Sequence, residues 1–229
     1  MTLARIAGLL ADETRAAFCM ALLDGRAWTA GELARQAGVS PSTASEHLSR
    51  LIAGGLLAEE RQGRHRYVRL ADPTVAALIE DLAAYAPSAA PVPRNLREST
   101  RMSAEARART CYDHLAGHLG VAVTDAVIGR GLVSDEAGLA VTEPGRLWFA
   151  GLGIELSAPD GAGRKGSRPV VRSCLDWTER RVHLAGVLGA ALCGHAIERR
   201  WVERIGGGRA LKVTPGGRRA LKELLEVEM

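Results

Sequence analysis

Thiols and imidazoles crowd one stretch of this 229-residue chain. Cys111, His114 and His118 follow one another at spacings of three and four, which on a continuous helix stacks all three side chains on one face. Cys193 and His195 stand two residues apart, and three of the four cysteines and four of the six histidines fall in this half. Thiolate with imidazole is a ligand set suited to zinc, copper or a soft metalloid. The sequence also offers a competing explanation. Cys111-Tyr-Asp113 recurs as Cys174-Leu-Asp176, and His114-Leu-Ala-Gly117 as His183-Leu-Ala-Gly186, whereas Val187 stands in the place of His118. Residues shared by a repeat are expected to serve its helix packing. The primary expectation is therefore no metal and no cofactor, with Cys111, His114, His118, Cys193 and His195 as the alternative ligand set. Cys111, His114, His118 and His183, with Trp148, Trp177 and Trp201 as walls, are candidates for lining a pocket that takes an organic effector. No Cys-x-x-Cys pair marks an activated thiol.

A second group of residues suits a polyanion. Ser40, Ser42, Thr43, Ser45 and Arg50 gather on one short segment, and Arg61, Arg64, Arg66 and Arg69 fall within nine residues that contain no acid. Residues 1–85 hold nine Arg against ten acids, so this ribbon is local, on a segment of net charge −1. The whole chain carries +4, which by itself decides nothing about nucleic acid.

The elements that must position these side chains follow from patterning. Residues 13–23 place Ala17, Phe18, Ala21 and Leu22 on one helical face, ended by Gly25. Thr29 and Glu32 form a capping-box pair opening a helix through Ala37. After Gly38-Val39, Ser40 is an N-cap with Pro41 at the first helical position. The next helix buries Ala44, Leu48, Leu51 and Ile52 and turns its hydroxyls and Arg50 elsewhere. Leu56–Ala58 and Tyr67–Leu70 read as strands of a hairpin with a cationic tip at Arg61-Gln-Gly-Arg64-His65-Arg66. Asp72-Pro73 opens a last helix bearing Val75, Leu78, Ile79 and Leu82. Two short helices across a tight turn, then a basic hairpin, make a winged helix-turn-helix. Ser42, Thr43, Ser45 and Arg50 would approach the major groove, and Arg61, Arg64, His65 and Arg66 the phosphates or the adjacent minor groove. His47 is a candidate phosphate contact, or a half-buried residue against the wing.

Ser40-Pro-Ser-Thr-Ala-Ser-Glu-His-Leu-Ser-Arg-Leu-Ile-Ala-Gly-Gly-Leu-Leu, followed by Arg61-x-Gly-Arg-x-x-Tyr67-x-x-Leu70, resembles the DNA-binding signature of ArsR-type winged-helix repressors. The resemblance covers about residues 1–86. It implies a homodimer, paired through the first and last helices of the domain, that binds a near-palindromic operator and is weakened by an effector. The Cys-x-Cys pair of the founding metal sensors is replaced by Trp28-Thr-Ala-Gly-Glu-Leu-Ala, and residues 72–85 lack the His of the other known site. Cys19 reads as a small buried hydrophobe.

Beyond a Pro-rich linker, assigned to residues 87–103 and stiffest at 86–93, the repeat organises residues 104–229, with copies at about 105–155 and 170–229. Each copy reads as a long Ala/Gly-rich helix, a short hairpin, and a helix capped by Thr142 or Thr214, with residues 157–169 as the intervening loop. The expected fold is mainly α with small β-hairpin wings (α+β): a winged helix-turn-helix, residues 1–86, then a duplicated winged-helix-like half for sensing or dimerisation. Aromatics are 4% of residues, so the core is expected from Ala, Leu and Val. No segment is apolar enough to span a bilayer, the start does not read as a signal peptide, and four cysteines are too few for a disulfide scaffold. The expected protein is cytoplasmic and without catalytic residues, because no phosphate-cradling glycine loop, nucleophile elbow or carboxylate pair is present. Its expected function is sequence-specific transcriptional regulation, as a dimeric repressor released by a C-terminal effector. A metal-responsive repressor and a small-molecule enzyme are the alternatives.

Overall fold

The computed structural model describes residues 2–62, 65–85, 96–136, 138–156 and 168–229. The wing tip at Gly63 and Arg64, residues 86–95 of the expected linker and the loop 157–167 lie outside the described residues, as does the side chain of His65. The chain divides into two compact units, Met1–Ile79 and Glu80–Met229.

In the first unit, α1 (Leu3–Leu10) buries no residue of its own. Its C-terminal carbonyls, orphaned as at any helix end, are met by Arg15, which donates to the oxygens of Gly8 and Leu9. α2 (Glu13–Leu22) starts at Asp12, whose carboxylate accepts the Arg15 backbone N–H. β1 (Trp28–Thr29) leads into α3 (Ala30–Ala37), where Thr29 and Glu32 form the full capping box and Gly38 closes the helix at φ 68°. α4 (Pro41–Ala53) begins at Ser40, as its N-cap pattern predicts. β2 (Leu57–Gln62) and β3 (His65–Leu70) pair antiparallel, and β1 joins β3, giving the order β1-β3-β2. Both wing strands run further than expected, because Arg61↔Arg66 and Gln62↔His65 continue the ladder towards the tip. α5 (Pro73–Tyr85) is capped by Asp72, which accepts from Thr74 and Val75. Ile79 is buried, but Leu82, expected on the same apolar stripe, is 49% exposed. Phe18, Leu22, Leu33, Leu48, Leu51 and Val68 build the core, with Cys19 fully buried among the apolar residues.

The second unit opens with α6 (Leu96–Arg107), so residues 96–103 are helical where a linker was expected. Its polar sequence, with Leu96 84% exposed, carries no apolar stripe to announce it. Then come β4 (Arg109–Cys111), β5 (His114–Ala116), α7 (Gly117–Gly129), β6 (Val133–Ser134), β7 (Ala140–Val141) and α8 (Glu143–Gly151). The same succession follows in β8 (Arg172–Leu175), β9 (Val182–Ala185), α9 (Gly186–Glu198), β10 (Val202–Arg204), β11 (Leu211–Val213) and α10 (Pro215–Leu225). Each long helix is thus preceded by a two-stranded antiparallel hairpin that the sequence patterning does not disclose. Thr142 and Thr214 cap the shorter helices as expected, accepting from Gly145 and Gly217.

The two six-element halves interlock. α9 packs along β5 and α7 along β9, so helix meets hairpin where the two halves join. Glycine permits the close approach: a Cβ on Gly189 would lie 3.2 Å from that of His114, and one on Gly120 3.6 Å from that of His183. Leu119, Val123, Phe149, Leu188, Val202 and Leu221 are among the residues of one continuous core shared by both halves.

Candidate functional site

α4 divides by face. Ala44, Leu48 and Leu51 are buried, while Ser42, Ser45, Ser49 and Arg50 are exposed. Ser40 accepts the Thr43 N–H at 3.1 Å, and its hydroxyl lies 2.8 Å from those of both Ser42 and Thr43. Hydroxyls therefore cluster at a helix N-terminus, where the backbone dipoles favour an anion. Arg50 is paired with Glu46 at 2.5 Å on the same face. On the wing, Arg61 and Arg66 face one another, Arg66 is 2.5 Å from Glu59, and Arg61 is 4.0 Å from it with 78% of its side chain exposed. Arg69 donates to the carbonyls of Leu70 and Ala71. The basic ribbon is thus partly neutralised by an acid that precedes it in sequence and joins it through the hairpin register.

A second constellation lies wholly inside the second unit. Cys111 and His114 are directly opposed across β4 and β5, and Cys174 and His183 are directly opposed across β8 and β9. One ligand atom from each of the four lies within 4.8 Å of the others, and all four residues are buried. The two histidines face each other through Nε2, 3.1 Å apart. Behind them, His114 Nδ1 is 3.4 Å from Asp113 and His183 Nδ1 is 3.3 Å from Asp176. The angle at His183 is too poor for a hydrogen bond, which leaves that Nδ1 a buried atom without a hydrogen-bond partner. Glu80 of α5 accepts from Cys111 Sγ at 3.2 Å.

Each of the three carboxylates beside the cluster has an arginine of its own. Arg168 forks onto Asp113 at 2.6 and 2.8 Å, Arg109 donates to Asp176 at 2.9 Å, and Arg172 donates to Glu80. Asp176 also accepts from Gly117, Thr178 and Glu179, and these groups, together with the facing His183 imidazole and the Arg109 guanidinium, overcome its burial and hold its pKa far below the usual range. Burial pushes Asp113 upward, but His114 and Arg168 outweigh it and bring it to about 2. Burial pushes His114 downward, yet Asp113, Cys111 and Glu80 raise it to about 9. The Cys111 thiol is pushed up by its hydrogen bond with Cys174 and by burial.

A helix-turn-helix domain family model matches residues 10–60, which span α2, α3 and α4. The Bacillus subtilis (strain 168) protein named "Uncharacterized HTH-type transcriptional regulator YdfF" is 40% identical over 228 residues, 99% of this chain and 98% of that one. The chain belongs to the HTH-type transcriptional regulators. The Mycobacterium tuberculosis (strain ATCC 25618 / H37Rv) HTH-type transcriptional regulator CmtR is 40% identical over 80 residues, 35% of this chain and 67% of that protein. The homodimeric winged helix-turn-helix domain of Mb0332 from Mycobacterium bovis, a possible ArsR-family regulator, is 31% identical over 37% of this chain and 77% of its own, with a TM-score of 0.34. With its helix-turn-helix followed by the paired strands β2 and β3, the N-terminal unit of this regulator is a winged helix.

Several expected site residues of the regulator stand elsewhere than supposed. Cys111, His114 and His118 do not share a helix: the first two lie on paired strands, and only His118 is on α7, 60% exposed and 3.6 Å from Glu179. Cys193 is buried in α9, where burial pushes its thiol to about 12, and His195 packs edge-on against Trp201. Neither belongs to the four-residue cluster. Trp148 packs against Phe149, and Trp177 lies under the Arg109 guanidinium. None of the three tryptophans lines the narrow apolar gap between Leu115, Val123, Leu184 and Leu192. His47 meets Arg15 of α2 at 3.3 Å and Asp12, the N-cap of that helix, at 3.4 Å. Cys174 and Glu80 escaped the ligand set altogether. The recurrence of Cys111-x-Asp113 as Cys174-x-Asp176 carried the signal for Cys174; Glu80 had none beyond being one of two adjacent acids, with Asp81, on a largely apolar helix.

Proposed function

We propose that this HTH-type regulator is a homodimeric repressor that lays the N-terminal half of α4 in the major groove of a near-palindromic operator and sets its wing on the flanking backbone. The observation that carries the reading is the division of α4. Its apolar stripe is spent on the core, while Ser42, Ser45, Ser49 and Arg50 remain exposed beside the hydroxyl cluster at its start. Small side chains there allow close approach to base edges, and the wing arginines supply phosphate contacts. Exposed apolar side chains support self-association: Leu3 is 83% exposed on α1, and Leu82 and Tyr85 are 49% and 88% exposed on α5.

Selection of bound duplexes from a randomised library tests this. An inverted repeat should emerge, bound by two protomers. Arg61→Ala should weaken binding to every duplex and reduce the salt slope by about 1, whereas Ser45→Ala should relax sequence preference at a few positions. An unselective pool, or a salt slope unmoved by Arg61→Ala, would overturn the arrangement.

For the effector, the gap lined by Leu115, Val123, Leu184 and Leu192 admits only about one water-sized group and so is not the place for an organic molecule. The buried Cys/His cluster favours a metal ion instead.

A further inference from the structure

We infer that Cys111, His114, Cys174 and His183 form a tetrahedral site for one divalent ion of the zinc type, built half from each of the paired hairpins. The position of the four residues in the backbone register is the first reason. Each hairpin sets a Cys and a His side by side on one face, where directly opposed residues come within reach of a common ligand. The second is size. Metal–nitrogen and metal–sulfur bonds of about 2.0 and 2.3 Å give tetrahedral edges of about 3.3–3.8 Å. The histidine nitrogens are 3.1 Å apart and the whole donor set fits within 4.8 Å, so small rotations close the shell.

The third reason is the surroundings. Both imidazoles turn Nε2 inward and Nδ1 towards a carboxylate, Asp113 for one and Asp176 for the other. That is the carboxylate–histidine–metal arrangement that fixes the ring and its tautomer. The otherwise unpartnered Nδ1 of His183 acquires a purpose in it, because a ligating Nε2 forces the proton onto Nδ1, facing Asp176.

Charge selects the ion. The three nearby carboxylates are each matched by an arginine, so with both thiols protonated and both imidazoles neutral, as ligation requires, the cluster carries no net charge. A divalent ion that displaces the two S–H protons, together with any proton on the His114 imidazole, to solvent leaves the filled site neutral, whereas a monovalent ion would leave a buried excess negative charge. Two sulfurs and two nitrogens in a closed tetrahedron suit zinc or cadmium over the hard oxygen-seeking cations. The site stands independently of DNA binding. That its occupancy is the effector signal rests on the regulator reading above.

Cobalt titration of the reduced, chelator-stripped full-length protein tests the site. Tetrahedral visible bands and a thiolate charge-transfer band should saturate at one ion per chain and vanish on adding one equivalent of zinc. Cys174→Ser should lower affinity at least tenfold and weaken the charge-transfer band, and Asp113→Asn should lower affinity about 10–100-fold. Should either variant fail to fold, X-ray absorption of the zinc-loaded wild type decides alone: two sulfur and two nitrogen neighbours support the site. A sulfur-free shell, binding of no ion, or a Cys111–Cys174 disulfide in place of metal uptake overturns it. The effector role is read separately, on a duplex recovered from the selection. Zinc should change the affinity of the wild type and not that of Cys174→Ser; equal affinities at full zinc loading would reject that role. If no duplex is bound, the regulator reading fails while the cobalt result still stands.

Discussion

Arg109 and Asp176 form a fully buried ion pair whose acid also holds the Gly117 N–H, so three segments depend on one carboxylate. Asp176→Asn keeps the shape but strands the guanidinium, and chemical denaturation should show a loss of about 3–5 kcal/mol. Replacing both partners by apolar residues should cost much less, because no buried charge is left behind. Residues whose role is local were legible in the sequence: Thr29 with Glu32, Ser40, Asp72, Thr142 and Thr214 all cap helices as their spacing predicts. Cys111 and His114 were legible in kind but not in place. The turn between them uses Tyr112 at φ 51°, a left-handed position that sequence usually advertises with Gly or Asn. Without that signal the run reads as helix. Glu59 was likewise hidden, since its pairing with Arg66 exists only once the hairpin register is set.

Helix starts and helix crossings give predictions of opposite sign. Thr29→Ala should cost about 1 kcal/mol by removing the cap. Glu32, held below its ordinary pKa chiefly by the Thr29 backbone N–H, makes that contribution dependent on pH. Because its folded pKa is depressed, the stabilisation is complete above the unfolded value and disappears as pH falls through the folded one. The difference between wild type and Glu32→Gln should therefore shrink in acid, which urea melts across the carboxylate range would reveal. In α9, Gly189→Ala and Gly194→Ala share a helix propensity gain of up to about 1 kcal/mol. A Cβ at 189 meets the Leu184 carbonyl at 2.5 Å, whereas one at 194 meets nothing within 4 Å. Overpacking costs of about 1–3 kcal/mol should make the first destabilising and the second stabilising. Helices α2 to α5 were legible because each has an apolar stripe, whereas α1, which buries no residue of its own, went unread. α6 has none, and the hairpins before α7 and α9 are too short to show a period.

At the scale of the molecule, no described helix is long and apolar enough to cross a membrane. Exposed Leu82 and Tyr85 call for another surface, and Leu82→Glu should shift sedimentation towards the monomer while leaving the near-ultraviolet spectrum of the folded protomer unchanged. The two compact units divide inside α5, between Ile79 and Glu80, whereas the sequence reading places its boundary after residue 86. Chain distance has a further consequence. Arg109 to Asp176, the Leu184 N–H to Thr124, and His114 to His183 tie the interlocked halves across separations of 67, 60 and 69 residues. Closing loops of that length precedes any reward from the contacts they join, so these bonds are expected to form after the folding barrier. Thr124→Val should then leave refolding nearly as fast as in the wild type and speed unfolding, moving only the high-denaturant arm of a stopped-flow chevron. The bonds across this seam would set how long the molecule lasts once folded, more than how quickly it is made.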